Sequence, residues 1–212
     1  MTDLVLFDLD GTLTDSQEGI IHSIQHALRK KGIECPDEEL VSFIGPPLKE
    51  SFANQFPQID AAEAVLNYRE YYADRGIFEN RVYDGIPELL QELKKRNIRC
   101  ALATSKPEGY ARKIVDHFGL SPYLEAVYGA TMDSSRVNKE DIIDYALAHC
   151  DARHPVMIGD RRFDIEGAHE HHLPGIGVTY GFGSRKELEE AKADAIIDHP
   201  LQLLDLIDSH QI

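Results

Sequence analysis

The chain has 212 residues, of which 22 are Lys or Arg and 37 are Asp or Glu, so its formal net charge is −15 at pH 7. The length suits one large domain or a core with an inserted small domain, and 42% apolar and 28% charged residues are typical of globular proteins. The strong negative charge argues against binding to nucleic acid or to an anionic membrane, because both partners need a positive protein surface.

The sequence favours a cytoplasmic protein. No stretch approaches the roughly 18 apolar residues of a membrane-spanning helix, and the N-terminus does not show the pattern of a secretory signal. Cys35, Cys100 and Cys150 lie far apart and form no Cys-x-x-Cys pair. We therefore expect reduced, structural thiols rather than disulfides or a zinc site.

Short apolar segments alternate with amphipathic ones along most of the chain, which predicts an α/β fold built on a doubly wound parallel sheet. The first segment, Leu4–Phe7, is continuously apolar, as expected of a strand buried on both faces. Further strands are predicted at residues 99–103, 126–128, 155–158 and 195–197, and helices at 88–96 and 141–148.

The alternation stops between about residues 15 and 84, where apolar positions keep a helical period and no strand is predicted. The segment Gly45-Pro46-Pro47-Leu48-Lys49 within it is interpreted as a turn between helices. We predict an α/β core formed by residues 1–14 and 85–212 and a helical cap domain formed by residues 15–84. The insertion begins at the carboxyl end of the first strand, where open α/β sheets bind ligands, so it could act as a lid.

An acidic pair stands at the end of the first strand, in Asp8-Leu9-Asp10-Gly11-Thr12. Side chains two residues apart on a strand share a face, so both carboxylates are expected at the carboxyl edge of the sheet. Two such charges about 5 Å apart repel by roughly 3 kcal/mol at an effective dielectric constant near 20. The pair therefore needs a bound cation, or a proton on one carboxylate.

A second acidic pair, Asp160 and Asp164, follows the strand predicted to end at Ile158. If the two strands are neighbours, these carboxylates converge with Asp8 and Asp10 in one crevice, and neither motif contains Cys or His. Oxygen ligands favour a hard cation, and Mg²⁺ in particular where few carboxylates are joined by phosphate oxygens. The sequence therefore predicts a magnesium site.

Hydroxyl and ammonium groups are predicted at the same edge of the sheet. Thr104, Ser105 and Lys106 follow the strand predicted to end at Ala103, and Lys139 stands at the start of a later helix. Hydroxyls, ammonium groups and the free amides of a helix N-terminus all favour an anion. Beside metal-binding carboxylates, they predict a phosphate site.

On these motifs the chain resembles the haloacid dehalogenase superfamily, and in particular its phosphatases of the phosphoglycolate phosphatase type, which carry a helical cap after the first motif. The resemblance covers nearly the whole chain. The first motif is matched in full by residues 8–12, and the fourth by Gly159-Asp160 with Asp164 four residues on. The common Lys-Pro pair of the family is here Lys139-Glu140.

The resemblance implies Asp8 as the nucleophile and Asp10 as the general acid and base. It also implies that Asp8, the main-chain carbonyl of Asp10 and Asp160 bind Mg²⁺, with Asp164 supporting the metal shell. A carboxylate is ionised at neutral pH, since its ordinary pKa is about 3.9, and can attack phosphorus without first losing a proton. The attack would give an aspartyl-phosphate.

Phosphoryl binding is implied for Thr104 and Lys139, and Ser105 and Lys106 are expected beside them. The predicted function is Mg²⁺-dependent hydrolysis of a small phosphorylated metabolite, either phosphoglycolate-like, a nucleotide or a sugar phosphate. Neither nucleic acid nor a membrane is an expected partner, and both a monomer and a homodimer remain open.

Two other functions remain as alternatives. Sugar-phosphate mutases of the same fold resemble this pattern but carry a His in the first cap helix, where this chain has Ile20. A phospho-ligand binding protein without turnover would keep the site and lose the reaction.

A separate metal site at His169, His171 and His172 is disfavoured, because no Cys or acidic residue of suitable spacing accompanies them.

Overall fold

Strand β1 (Leu4–Phe7) lies inside a six-stranded sheet, and all four of its side chains are buried. The structure is a computed structural model that describes residues 2–133 and 135–210. It divides into two units, which we call the sheet unit (Met1–Thr14 with Val82–Ile212) and the helical unit (Asp15–Arg81). Strand β1 belongs to the sheet unit.

The other strands are β2 (Thr14–Asp15), β3 (Arg81–Val82), β4 (Arg99–Pro107), β5 (Ala126–Ala130), β6 (Pro155–Gly159), β7 (Gly175–Val178) and β8 (Ala195–Ile197). The helices are α1 (Gln17–Arg29), α2 (Asp37–Leu40), α3 (Leu48–Gln55), α4 (Ala61–Tyr71), α5 (Ile86–Lys95), α6 (Glu108–His117), α7 (Lys139–His149), α8 (Arg162–Glu170), α9 (Arg185–Glu190) and α10 (Gln202–Asp208). Among the described residues, no helix is both long and apolar enough to cross a bilayer.

The sheet unit contains a six-stranded sheet in the order β5-β4-β1-β6-β7-β8, in which all neighbouring strands are parallel. The predicted α/β fold with a parallel sheet is thereby confirmed. Strand β1 lies between β4 and β6, with Phe7 opposite Leu102 and Ile158. The residues that follow these three strands therefore leave the same edge of the sheet side by side.

Strand β7 was missing from the predicted set of strands. Its sequence, Gly-Ile-Gly-Val, has only two apolar side chains in four residues, which is too weak a signal of a buried strand. The glycines have a packing role, because a Cβ at Gly175 would lie 3.2 Å from Ile165 and one at Gly177 would lie 2.9 Å from Leu188. Their small size lets two helices approach this strand closely.

Strand β4 is longer than predicted. The sequence predicted that it ends at Ala103, whereas the strand continues through Pro107 with a shift of register against β5 after Thr104. The predicted hydroxyl and ammonium residues are thus part of the irregular end of a strand. Helix α6 starts directly after them.

In the helical unit, α1 packs closely against the π-helical turn Tyr72–Gly76. A Cβ at Gly19 would lie 1.9 Å from the carbonyl oxygen of Gly76, so only glycine fits there. The predicted turn over residues 45–49 was wrong at its end, because Leu48 and Lys49 already belong to α3. Pro47 is the N-cap of this helix, and a proline favours a helix start because it carries no N–H to satisfy.

Replacing Leu6 with Ala is expected to lower the free energy of unfolding of the sheet unit by about 2–5 kcal/mol, because Leu6 is fully buried in the central strand. Urea denaturation followed by circular dichroism measures the change. Leu66→Ala is the matched control, since Leu66 is 61% exposed and should cost less than about 0.5 kcal/mol. Similar losses in the two variants would contradict the assigned positions.

Candidate active site

Three carboxylates gather at the carboxyl edge of β1 and β6. The amide of Asp8 donates a hydrogen bond to the carbonyl oxygen of Ile158 over 2.9 Å, so the ladder between the two strands continues past β1. One carboxylate oxygen each of Asp8, Asp160 and Asp164 lies within 4.8 Å of the others, and all three residues are buried. Across residues 2–133 and 135–210, no other cluster of His, Cys, Asp or Glu has metal-binding geometry.

Two glycines of the predicted motifs make room for these carboxylates. Gly11 has a φ of +88°, and a Cβ there would lie 2.3 Å from Oδ2 of Asp160. A Cβ at Gly159 would lie 2.0 Å from Cγ of Asp164. Each acidic motif therefore needs its glycine because a carboxylate occupies the space of a side chain.

Lys139 is buried against two of these carboxylates. Its Nζ lies 2.8 Å from Oδ1 of Asp8 and 2.7 Å from Oδ1 of Asp164, and it donates a hydrogen bond to the carbonyl oxygen of Ala103 over 2.9 Å. An ammonium group has three protons to donate, so each one has an acceptor. Lys139 is the first residue of α7, as the sequence predicted.

Asp10 is paired with a different lysine. Nζ of Lys106 donates to Oδ2 of Asp10 over 2.6 Å, and both side chains are largely buried. Oδ1 of Asp10 has no hydrogen-bond partner within the described part of the chain. The carboxylate of Asp10 is thus held by one oxygen and lies outside the group formed by Asp8, Asp160 and Asp164.

The two predicted hydroxyl residues differ in exposure. Thr104 is buried, and its Oγ1 accepts a hydrogen bond from the amide of Lys106 over 3.2 Å. Ser105 is partly exposed. Phosphoryl binding by these residues stays a prediction.

Burial among like charges changes the protonation of the carboxylates. It raises the pKa of Asp160 well above its ordinary value and raises the pKa of Asp164 to about 6, although the Lys139 ammonium opposes the second shift. Burial alone would lower the pKa of Lys139, but Asp164 and Asp8 outweigh it and raise that pKa. Lys139 is therefore charged at neutral pH, while the raised pKa values of Asp160 and Asp164 mean that these two carboxylates hold protons more tightly than usual.

The residues at this site fit a divalent cation. Asp8, Asp10, Asp160 and Asp164, when ionised, face the two ammonium groups of Lys106 and Lys139, which leaves two negative charges without a partner. Oδ1 of Asp160 is buried and has no hydrogen-bond partner among the described residues. A buried, unpartnered carboxylate oxygen in an all-oxygen donor set is what a hard cation such as Mg²⁺ binds.

One part of the site was not predicted from the sequence. The backbone of residues 181–183, which follows β7, contacts Asp160 and donates to its Oδ2 from the amides of Phe182 and Gly183, over 2.8 Å and 3.4 Å. The alternating glycines of Tyr180-Gly181-Phe182-Gly183 were the sequence signal that could have indicated this close contact of the backbone with Asp160. It was missed because β7 itself was missed.

Arg161, which follows Asp160, and two histidines of the cluster considered in the sequence have local partners. Nε of Arg161 lies 2.9 Å from Oε1 of Glu187. His169 contacts Asp194, and His171 contacts the carbonyl oxygen of Glu140. Within the described residues these histidines are not part of a group that could hold a metal.

Comparison with known proteins gives the family. The family model described as haloacid dehalogenase-like hydrolase matches residues 5–178. The chain belongs to this family. It is 44% identical over 211 residues to a 5'-nucleotidase of Pseudomonas aeruginosa, which covers 97% of this chain and 96% of the relative.

Two further comparisons find proteins similar to this chain over nearly its whole length. It is 40% identical over 199 residues to the tyrosine-protein kinase PtkA of Mycobacterium tuberculosis, covering 92% of this chain and 68% of the relative. A solved structure of a predicted phosphatase from Clostridium acetobutylicum superimposes with a TM-score of 0.94 at 42% identity and covers 99% of both chains. The prediction of a phosphatase-type hydrolase of this family is confirmed.

Replacing Lys139 with Met is expected to lower the free energy of unfolding by about 3–5 kcal/mol in metal-free buffer at pH 7.5, because two buried carboxylates lose their counterion. The raised pKa of Lys139 means that its stabilising charge is fully present at this pH. Urea denaturation measures the loss. Lys186→Met, at a side chain that is 82% exposed, is the control and should change stability by less than about 0.5 kcal/mol.

The pKa of Asp164 rises from 3.8 to about 6 on folding, and that of Asp160 rises as well. A carboxyl group whose pKa is raised by folding stabilises the fold below its unfolded pKa, and this contribution is lost as pH rises through the folded pKa. In metal-free buffer, Asp160→Asn should therefore have a higher Tm than the wild type at pH 7.5, and the gap should shrink at pH 5. The exposed control Asp74→Asn should show no such pH dependence. An Asp160→Asn gap that is equal at both pH values would contradict the role of charge repulsion.

Proposed function

We propose that the chain is a Mg²⁺-dependent phosphomonoesterase that cleaves a small phosphorylated metabolite through an aspartyl-phosphate on Asp8. The observation that carries the proposal is the buried group of Asp8, Asp160 and Asp164, two of which contact the Lys139 ammonium, in a chain of this hydrolase family.

The reaction uses Asp8 and Asp10 in two steps. In the first, an ionised oxygen of Asp8 attacks phosphorus, the bond from phosphorus to the ester oxygen breaks, and Asp10 donates a proton to the leaving alkoxide. In the second, Asp10 takes a proton from water, the resulting hydroxide attacks phosphorus, and the bond to Asp8 breaks to release inorganic phosphate. Both residues return to their starting protonation states.

The proposed metal ligands are Asp8, the main-chain carbonyl of Asp10 and Asp160, with Asp164 in support. When bound, Mg²⁺ supplies positive charge that offsets the charge of the carboxylates and of the phosphoryl oxygens. This assignment is supported by the unpartnered Oδ1 of Asp160 and by the excess negative charge of the site.

Four residues are proposed to bind the phosphoryl group of the substrate. Lys139 would exchange one of its present contacts for a phosphoryl oxygen, and Thr104 would donate its hydroxyl proton. Ser105 stands beside Thr104 at the end of β4 and would add a second hydroxyl. Lys106 would add positive charge near the phosphoryl group while its Nζ stays paired with the carboxylate of Asp10.

A nucleoside 5'-monophosphate is the first substrate to test, because the 44% identical relative from Pseudomonas aeruginosa is named a 5'-nucleotidase. The next substrates to test are phosphoglycolate and N-acetylmuramic acid 6-phosphate. A relative with 28% identity is named a phosphoglycolate phosphatase, and one with 29% identity is named an N-acetylmuramic acid 6-phosphate phosphatase. A sugar-phosphate mutase is less well supported, because Ile20 has no titratable group.

A second candidate is transfer of the phosphoryl group to a protein tyrosine, which is favoured by the 40% identity to PtkA. The same Asp8 intermediate would then be attacked by a phenolic oxygen instead of by water. Whether phosphate or a phosphorylated peptide accumulates distinguishes the two candidates.

The test is release of inorganic phosphate from a panel of nucleoside monophosphates, phosphoglycolate and sugar phosphates, with Mg²⁺ and with EDTA. We expect turnover of at least one ester that requires Mg²⁺, a loss on the order of 10³-fold or more in kcat for Asp8→Asn, and a loss of about 10²- to 10⁴-fold for Asp10→Asn. Asp74→Asn, far along the chain from both motifs and exposed, serves as the control.

Substantial turnover by Asp8→Asn would overturn Asp8 as the nucleophile. Absence of phosphate release from the whole panel, together with labelling of a tyrosine peptide from γ-labelled ATP, would favour the second candidate.

A further inference from the structure

The backbone segment after β7 surrounds Asp160. The amide of Phe182 donates to Oδ2 of Asp160 over 2.8 Å, and the amide of Gly183 points to the same oxygen over 3.4 Å. Asp160 and this segment are about twenty residues apart in the chain and come together only through the pairing of β6 with β7. The two amides thus select one of the two carboxylate oxygens.

The two glycines of this segment allow that contact. A Cβ at Gly183 would lie 1.9 Å from the carbonyl oxygen of Asp160. A Cβ at Gly181 would lie 2.2 Å from the carbonyl oxygen of Gly11 and 2.5 Å from Cβ of Asp160. Backbone atoms cannot be pushed aside as the end of a flexible side chain can, so any larger residue at either position must displace Asp160 or the segment.

The two carboxylate oxygens of Asp160 differ in their hydrogen bonding, and this difference indicates a role in metal binding. Oδ2 receives the amide hydrogen bonds, while Oδ1 is buried and has no hydrogen-bond partner in the described chain. A carboxylate that served only to tie the segment down would leave a buried oxygen unsatisfied, which costs free energy. Metal ligands, in contrast, are commonly held by hydrogen bonds to the atom that does not bind the metal.

We propose that the backbone of residues 181–183 positions Asp160 for metal binding, by fixing Oδ2 through the amides of Phe182 and Gly183 so that Oδ1 is presented to Mg²⁺. The amide dipoles also favour the ionised carboxylate, which is the form that binds a cation. Gly181 and Gly183 are therefore positioning residues. This inference rests on the proposed Mg²⁺-dependent function.

The test measures Mg²⁺ binding to the full chain by titration calorimetry after treatment with EDTA. Gly181→Ala and Gly183→Ala are expected to weaken Mg²⁺ binding by about 10- to 100-fold, the range found when the partner of a metal ligand is lost. Circular dichroism and Tm in EDTA show whether each variant is folded.

Two glycine controls separate positioning from loss of stability. The atoms nearest to a Cβ at Gly177 all belong to the Leu188 side chain, so Gly177→Ala should lower Tm without changing the Kd for Mg²⁺. A Cβ at Gly109 on α6 would meet nothing within 4 Å, so Gly109→Ala should leave the Kd unchanged and should not lower Tm. Wild-type Kd values in folded Gly181→Ala and Gly183→Ala would overturn the proposal.

A second measurement needs no substitution. In amide NMR spectra of the wild-type chain, the Phe182 and Gly183 resonances should shift with added Mg²⁺ at the Kd given by calorimetry, because the metal changes the charge on the carboxylate they contact. Unchanged resonances on saturation would overturn the proposal even if the glycine variants fail to fold. A wild-type chain that binds no Mg²⁺ would instead overturn the proposed function.

Discussion

The repulsion between buried carboxylates is the constraint on which the rest of the site depends. Asp8, Asp160 and Asp164 have oxygens within 4.8 Å of one another, and a pair of charges at that distance repels by about 3 kcal/mol at an effective dielectric constant near 20. Lys139 offsets part of this repulsion by contacting two of the three carboxylates. The remainder raises the pKa values of Asp160 and Asp164 in the metal-free chain, and in our proposal it is offset by Mg²⁺ when the ion is bound.

The carboxylates can come this close because glycines leave space for them. Gly11 and Gly159 remove side chains where carboxylates must lie, and Gly181 and Gly183 let a distant segment reach Asp160. As a consequence, the pKa values of Asp160 and Asp164 are raised, so these two carboxylates favour the protonated form while no cation is bound. A group that is unfavourable for the metal-free fold and favourable for ligand binding is typical of functional sites, where stability is given up for reactivity.

The two lysines divide the charged residues of the site into two groups, one around Lys139 and one around Lys106. Lys139 lies with the carboxylates that are proposed to bind metal, and Lys106 lies with Asp10, which is proposed to exchange protons with the ester oxygen and with water. In this arrangement the carboxylate of Asp10 lies outside the group of carboxylates proposed to bind metal, although Asp10 is only two residues from Asp8. A nucleophile and a proton donor that must act at different atoms of one ester are thereby given different surroundings.

The sequence by itself determined the fold class and the types of residue that carry the chemistry. Continuous apolar segments such as Leu4–Phe7 indicate buried parallel strands, and the acidic motifs at residues 8–12 and 159–164 indicate oxygen ligands at strand ends, because both signals are local. The family resemblance then named a role for each residue, and comparison with known proteins confirmed the family.

Only the tertiary structure decided which of these residues meet. That Lys139 contacts Asp8 and Asp164, and that Lys106 contacts Asp10, depends on strand order and register, which no local pattern specifies. Strand β7 and the segment after it were missed for the same reason: glycines are weak signals in a sequence. Their value comes from the close approach of groups far along the chain, and such approaches exist only once the chain is folded.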